Sequence, residues 1–440
     1  MKKIISLLLC LVFATFTFVG CSNDNIGDDL DDSMKGYVKE ALTLNFYIIG
    51  DPTNDNATVN ARINNYTAKK FNTSFNIFYC TEEGYSEAVI AALDSAKIAV
   101  ESEATDEASL NAIKNKPDIF LINSPEMMKE LDEKGHLADL TEFFDPSLYE
   151  KRVEVHPDQK NKFHAELIKK TEGLHNKIAE SLMDASILIK PYDNETTGKT
   201  EMVEKYFCVP NNRVVGSYTY LIIDRSVAEE VYVGSDSQLS SYKSINDANT
   251  KALIESIKTK KNVDDEGVKQ YVAEVTGKYE DKAVYEANGF ACNIVSYPQV
   301  AGLDAVGANV PVTVDNVFNS AFAVNSYAYT FADEEKTAEM SKKASDTIDR
   351  AMEMIYTLNT DATLRNLLQF GVQDTNYTIN HETGMVDYSQ INLTENKYYM
   401  NLKYTGDMLL KDLLESASWT QADKDNAKKH NDQSGVYKVN

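Results

Sequence analysis

The apolar positions of this chain repeat with two different periods. Leu42–Ile49 is a largely apolar run that stops at Gly50-Asp51-Pro52, which predicts a first strand. Asn54 or Asp55 then caps a predicted helix with Val59, Ile63 and Tyr66 at helical spacing. Phe75, Ile77 and Tyr79 alternate through Ser74–Tyr79 as a second strand, and a helix follows over Ser86–Ser102 with Ala88, Ala92 and Ala96 on one face. Lys116-Pro117-Asp118 leads into a short strand, Ile119–Ile122, and Asn123-Ser124-Pro125 opens a helix that Gly135 stops. Strands alternating with helices at this spacing predict a parallel sheet with right-handed crossovers. The loops at the carboxyl ends of such strands converge on a crevice, here Gly50–Asn54, Cys80–Glu83 and Asn123–Glu126.

Glu142–Glu204 reads as mainly helical and charged, with His156, His164 and His175 on a solvated surface. Lys205–Arg225 changes the pattern. Tyr206–Pro210 and Val214–Ile223 are rich in β-branched and aromatic residues around a Pro-Asn-Asn turn, and Tyr218–Ile223 predicts a strand buried on both faces with sheet on each side. We read this stretch as the crossing from one lobe into a second, with the functional cleft between the lobes. Helices are predicted over Ser244–Thr259 and Asp265–Thr276, a strand over Phe290–Tyr297, and a return crossing over Val317–Tyr329. Ala344, Ile348, Ala351, Ile355 and Leu358 line one face of a long helix, Glu334–Leu358. Thr363–Phe370 forms a shorter helix closed by Gly371, and further helices are expected around Asp407–Ser416 and Gln421–Asn431.

Length and charge narrow the picture. A chain of 440 residues exceeds one ordinary core, so two domains are expected. The net charge of −24 repels phosphate backbones, which disfavours a nucleic-acid partner. Met1-Lys2-Lys3, the apolar Ile4–Phe18 and Phe18-Val19-Gly20-Cys21 have the form of a bacterial lipoprotein signal, cleaved before Cys21 and lipidated on its thiol. The alternative is an ordinary signal peptide with an incidental cysteine. Residues 1–20 are thus the expected leader and 21–40, with its run of aspartates, an acidic tether to the outer face of the cell membrane. Cys80, Cys208 and Cys292 have no close spacing, which argues against a disulfide framework or a zinc site.

In order along the chain, the lipobox at Cys21, Gly50-Asp51 before an Asn-rich helix, Lys116-Pro-Asp-Ile-Phe120 with Gly135-His-Leu-Ala-Asp-Leu140, Tyr206–Arg225, and Asn366–Tyr377 (NLLQFGVQDTNY) resemble segments of the family 1 extracellular solute-binding proteins. These are the lipid-anchored receptors of ABC importers, many of which take up sugars. The resemblance implies an α/β fold of the periplasmic-binding-protein type II, two α/β lobes joined by crossing hinge segments. It implies a first lobe of 41–221 plus 318–371 and a second of 222–317 plus 372–440. It further implies capture of a carbohydrate or oligosaccharide and its delivery to ABC permease subunits. The short second lobe and the single tryptophan, Trp419, depart from the family pattern.

Sugar recognition needs flat rings against C–H faces and amide or carboxylate partners for vicinal hydroxyls. With 25 tyrosines in the chain, Tyr218, Tyr220, Tyr327 and Tyr329 are candidate platforms, the alternative being core packing. Asp51, Asn123, Ser124, Asn211, Asn212, Asn325 and Ser326 stand at strand ends, where they either face a cleft or serve as turn and cap residues. Asn376 and Tyr377 are candidates after Gly371. Signatures of hydrolase, metalloprotease and phosphate-binding chemistry are missing from the sequence, so no cofactor and no catalytic residue are expected. A lipoprotein enzyme acting on glycans, or an adhesion lipoprotein without a transporter, are the alternatives.

Overall fold

The computed structural model describes residues 40–157, 160–178, 180–194, 198–212, 218–231, 246, 248–277, 284–285, 288–296, 317–327, 334–382, 384–407 and 410. The expected leader, Cys21, residues 21–39 of the tether, Tyr329, Trp419 and the helices expected after Asp407 lie outside them. The chain divides into two compact units, one of 1–213, 317–415 and 438–440, the other of 214–316 and 416–437.

The first unit is built on strands β1 (Leu42–Ile49), β2 (Thr73–Cys80), β3 (Ile119–Ile122), β6 (Cys208–Pro210) and β10 (Ala321–Val324), in the order β2-β1-β3-β10-β6. β1 pairs in parallel with β2 and β3, whereas β10 is antiparallel to both β3 and β6. Every side chain of β3 and β10 is buried, as continuous apolar runs covered on both faces should be. Full burial of an Ile, Leu or Phe contributes about 1.5–3 kcal/mol, so these short strands are the centre of the core.

The crossovers follow local signals. Helix α1 (Asn56–Phe71) is capped by Asp55, which accepts from the Thr58 amide, and closes at Asn72 with a φ of 52°. α2 (Tyr85–Glu101) and α3 (Glu107–Lys114) connect β2 to β3. α4 (Pro125–Glu133) has Ser124 as its cap and proline in the first turn. Helices α5 (Pro146–Val155), α6 (Lys162–Thr171) and α7 (Glu180–Ala185) fill only part of the region expected to be helical. Residues 187–206 are instead a β-hairpin of β4 (Ile187–Asn194) and β5 (Lys199–Tyr206). The proline at 191 rules out a continuous helix through this stretch, and charge alone concealed the strands.

The second unit contains β7 (Tyr218–Asp224), flanked by β8 (Val272–Gly277) and β9 (Phe290–Ser296), both antiparallel to it, and helices α8 (Arg225–Val231) and α9 (Ala248–Lys261). Leu221, Ile223, Val227, Leu253, Ile257, Val268 and Val272 form its core. β7 has sheet on both sides as its sequence predicts, yet it lies wholly within this unit, so the chain crosses before it, at 213/214. The helix expected over 265–276 is a short 3-10 turn, Gly267–Gln270, followed by β8, whose Val272, Val275 and Thr276 suit a strand. Residues 372–407, expected in the second lobe, pack in the first unit. Two backbone bonds hold them there: the Asp55 amide donates to Lys397 O at 2.6 Å, and the Met400 amide to Gln369 O at 2.9 Å.

Helix α10 (Glu334–Leu358) packs on β1 and β10 and buries charged groups as well as apolar ones. The Arg350 guanidinium donates to the carbonyls of Phe71, Asn72 and Glu40 and to Thr73 Oγ1, tying the helix to the start of β1 and β2. His164, expected to be solvated, is buried: Nδ1 lies 2.5 Å from Asp349 Oδ1 and Nε2 lies 3.2 Å from Glu142 Oε2. Arg152 completes the group through paired 2.7 Å bonds to Glu142. Burial alone would lower the imidazole's pKa, but the bonds to Asp349 and Glu142 outweigh it and raise it to about 9. Burial would likewise raise the Glu142 pKa, and His164 and Arg152 bring it down to about 2.

These shifts set a pH window. The His164 contribution is fully present below the imidazole's ordinary 6.5 and is lost as pH rises through about 9. That of Glu142 is present above 4.5 and lost as pH falls towards 2. Thermal unfolding followed by circular dichroism should therefore show a maximum melting temperature between about pH 4.5 and 6.5 for this term. His164→Gln should flatten the alkaline limb and make the acid limb shallower without removing it, because Arg152 alone then holds the Glu142 carboxyl down.

Candidate functional site

Strand direction decides which residues meet. β1, β2 and β3 run parallel, β10 runs against β3, and β6 runs against β10, so β6 points the same way as β1–β3. Ile49 pairs with Cys80, and Ala321 pairs with both Ile122 and Pro210, so these residues mark one edge of the sheet. The loops Gly50–Asn54, Thr81–Gly84, Asn123–Ser124 and Asn211–Asn212 leave from that edge, and Ser320 enters at it. It is the carboxyl edge, where open α/β sheets bind ligands.

A remote segment, residues 396–407, runs along this edge. The Asn54 amide group donates to Tyr399 O at 2.9 Å, Lys397 pairs with Asp51 at 2.9 Å, and Tyr404 donates to Glu82 at 2.6 Å. Farther along, Asn211 Nδ2 donates to Ser320 Oγ at 2.9 Å and to Lys403 O at 3.3 Å, while Asn212 Nδ2 donates to Lys177 O at 3.0 Å and to Asp407 at 3.1 Å. Ser320 Oγ also donates to Lys403 O. One chain segment thus touches the loops after β1, β2 and β6.

Five of the residues singled out from sequence belong to this edge. Asp51 is part exposed and accepts from the Thr53 amide, Thr53 Oγ1 and Lys397. Burial works to raise its pKa, but Lys397 and the two Thr53 bonds hold the carboxyl below its usual range. Asn123 Oδ1 accepts from Ser86 Oγ at 2.6 Å, fastening the end of β3 to α2. Ser124 is the helix cap described above. Asn211 and Asn212 are buried, and their Oδ1 atoms have no hydrogen-bond donor among the described residues; the same holds for Oδ1 of Asn54 in the first loop and of Asn56 at the start of α1. An unmatched buried acceptor costs about 1–3 kcal/mol.

Asn376 joins the same edge indirectly. It is buried, accepts from the Val372 amide at 2.8 Å, and donates to Asn396 O at 2.9 Å and Asp55 at 3.2 Å, so it fastens the remote segment to the α1 cap. Tyr377 packs on Phe370 in a small cluster with Val386.

The remaining candidates lie elsewhere. Because β10 is reversed, Asn325, Ser326 and Tyr327 come out at the opposite, amino edge. There Asn325 Nδ2 donates to Pro117 O at 3.0 Å, Ser326 Oγ to Gly135 O at 2.6 Å, and the buried Tyr327 hydroxyl to Asp118. They brace the sheet and do not join the carboxyl edge. Tyr220 is fully buried in the second unit against Tyr285, a core position; Tyr218 lies in the same strand, and its side chain is outside the described residues. Sequence reasoning missed Lys397, Tyr399, Tyr404 and Asp407, which belong to a segment it assigned to the other lobe.

Comparison with known proteins yields a fold and no family: no family model matches the sequence, and no curated protein matches it. Among solved structures, the N-glycan transport solute binding protein (NgtS) from Streptococcus pneumoniae aligns with a TM-score of 0.52 at 14% identity, covering 90% of this chain and 84% of that one. The fold is that of a type II periplasmic binding protein. NgtS in complex with Man5GlcNAc aligns with a TM-score of 0.46 at 13% identity, over 90% of this chain and 83% of that one. A cyclo/maltodextrin-binding protein complexed with maltotetraose aligns with a TM-score of 0.35 at 10% identity, over 76% and 78%.

Gly50 tests how closely the remote segment must sit. A Cβ at this position would stand 2.6 Å from Met400 Sδ and Cε and 2.9 Å from the Tyr79 ring. Gly50→Ala should cost about 1–3 kcal/mol in denaturant unfolding, as overpacked sites do. In a Met400→Ala background, Gly50→Ala should cost less than it does in the wild type, a coupling that a double-mutant cycle measures.

Proposed function

We propose that this protein is a solute receptor that binds a carbohydrate or oligosaccharide at the carboxyl edge of the β2-β1-β3-β10-β6 sheet. The observation that carries the reading is the sheet itself: its one reversed strand lies between β3 and β6, and the fold aligns with that of a solute binding protein for N-glycan transport. Receptors of this type bind and release without covalent chemistry, and the energy for transport comes from a separate ATPase. Delivery to ABC permease subunits, and tethering to the outer face of the cell membrane through Cys21, complete the proposal.

Titration calorimetry against a library of oligosaccharides, peptides and small metabolites tests the binding step. Tight one-to-one binding of an oligosaccharide without turnover is expected. Release of shortened glycans would favour a glycan-degrading lipoprotein instead, and the absence of any small ligand together with adhesion to cells would favour an adhesin. Anchoring is tested separately: in the expressing bacterium, Cys21→Ser should abolish incorporation of labelled palmitate and shift the protein out of the membrane fraction.

A further inference from the structure

The tyrosines of the carboxyl edge differ sharply in what they offer a ligand. Tyr85, Tyr398 and Tyr404 are at most 1% exposed, whereas Tyr399 is 46% exposed. The difference follows from the backbone. Exposure alternates over residues 397–400: Tyr398 and Met400 are buried in the core, while Lys397 and Tyr399 are exposed. The outward pair is held in place: Asn54 Nδ2 donates to Tyr399 O, the Asp55 amide to Lys397 O and the Met400 amide to Gln369 O. The ring of Tyr399 meets that of Tyr388 nearly at right angles, with 6.4 Å between centroids. Two residues earlier, the likewise exposed Lys397 bonds Asp51, whose carboxylate also holds Thr53. A half-exposed aromatic ring thus stands two residues along the chain from an ammonium group that holds a carboxylate.

This combination matches one chemistry well. A pyranose has an apolar C–H face that lies flat on an aromatic ring, and hydroxyls at its rim that donate to a carboxylate and accept from an ammonium. A purely apolar ligand would leave the Asp51–Lys397 pair desolvated, and a simple anion or cation would have no use for the ring. We infer that Tyr399, with Asp51 and Lys397, forms a subsite for one pyranose ring of the bound carbohydrate, the ring stacking on the tyrosine and its vicinal hydroxyls bridging the ion pair. The assignment rests on the receptor reading above and names the residues that would set its specificity. Tyr399 is the specificity-determining platform and Asp51 the hydroxyl acceptor.

The test applies the full chain to a printed glycan array, followed by calorimetry with the strongest-binding glycan, using wild type, Tyr399→Ala, Tyr399→Phe and Asp51→Asn. Tyr399→Ala should weaken binding at least about tenfold, equivalent to about 1.4 kcal/mol. Tyr399→Phe, which keeps the flat ring, should stay within about threefold of wild type, and Asp51→Asn should weaken binding while changing the order of preferred glycans. A melting temperature for each variant separates loss of the platform from loss of the fold. If Tyr399→Ala melts early, Tyr399→Leu keeps apolar bulk without a flat face, and wild-type affinity in that variant would overturn the inference. Binding by wild type that Tyr399→Ala leaves unchanged overturns the subsite and leaves the receptor reading standing. No glycan bound by wild type overturns both.

Discussion

The first unit depends on a strand that arrives late. β10 lies between β3 and β6, and among the described residues it is the sheet partner of β6. Ile122 pairs with Ala321 across about two hundred residues of chain, much of it belonging to the other unit. Until residues 321–324 return, β3 has a bare edge and β6 has no sheet to join. Such a pairing must overcome a large loop-closure cost before it is rewarded. The four side chains of β10 are all buried, so the apolar gain comes at once when the strand docks. This single insertion also fixes where Asn211 and Asn212 stand, because β6 is aligned by Pro210 against Ala321. The geometry of the carboxyl edge is therefore a consequence of how the chain re-enters the unit.

The same strand explains what could be read from sequence and what could not. Elements whose signals are local were legible: the β1 run, the Asp55 and Ser124 caps, the α10 stripe and the close of the next helix, Ala362–Phe370, at Gly371, where φ is +83°. Strand direction is not a local property. VFNSAFAV reads as an apolar strand whichever way it runs, and only its antiparallel pairing sends Asn325–Tyr327 to the amino edge. Had β10 been parallel, those three residues would have stood beside Asn123. The carboxyl-edge candidates Asp51, Asn123 and Ser124 were legible because parallel β-α units place the ends of β1 and β3 together without reference to distant chain.

Buried charge was illegible for a related reason. His164 sits in a stretch crowded with lysine and glutamate, and its neighbours in sequence suggest solvent. Its partner Asp349 is 185 residues away on α10, a helix whose apolar stripe is plain but whose buried Asp349, Arg350 and Glu353 are not. A charged group is stable in the interior only if it is paired or hydrogen-bonded, and the pairing is a tertiary fact. Arg350 makes the point again. Its guanidinium satisfies carbonyls at the junction of α1 and β2 and at Glu40, so one side chain anchors the start of the described chain to the long helix.

Residues 396–407 raise the question of why part of the carboxyl edge should come from so far along the chain. Their attachment is largely through backbone groups: Asn54 and Asn376 side chains and the Asp55 and Met400 amides bond main-chain atoms of this segment or of the frame. Bonds of that kind are indifferent to which side chain points outward at 397 or 399. The inward positions, Tyr398 and Met400, are constrained by the core, with the Tyr398 hydroxyl donating to Leu368 O at 2.8 Å and Met400 filling the space beside Gly50. The outward ones are constrained by solvent and by whatever binds there. A segment built in this way separates the residues that hold it from the residues it exposes. The frame supplies fixed acceptors at strand ends, and the segment presents a ring and a charge that can differ without disturbing a single strand pairing.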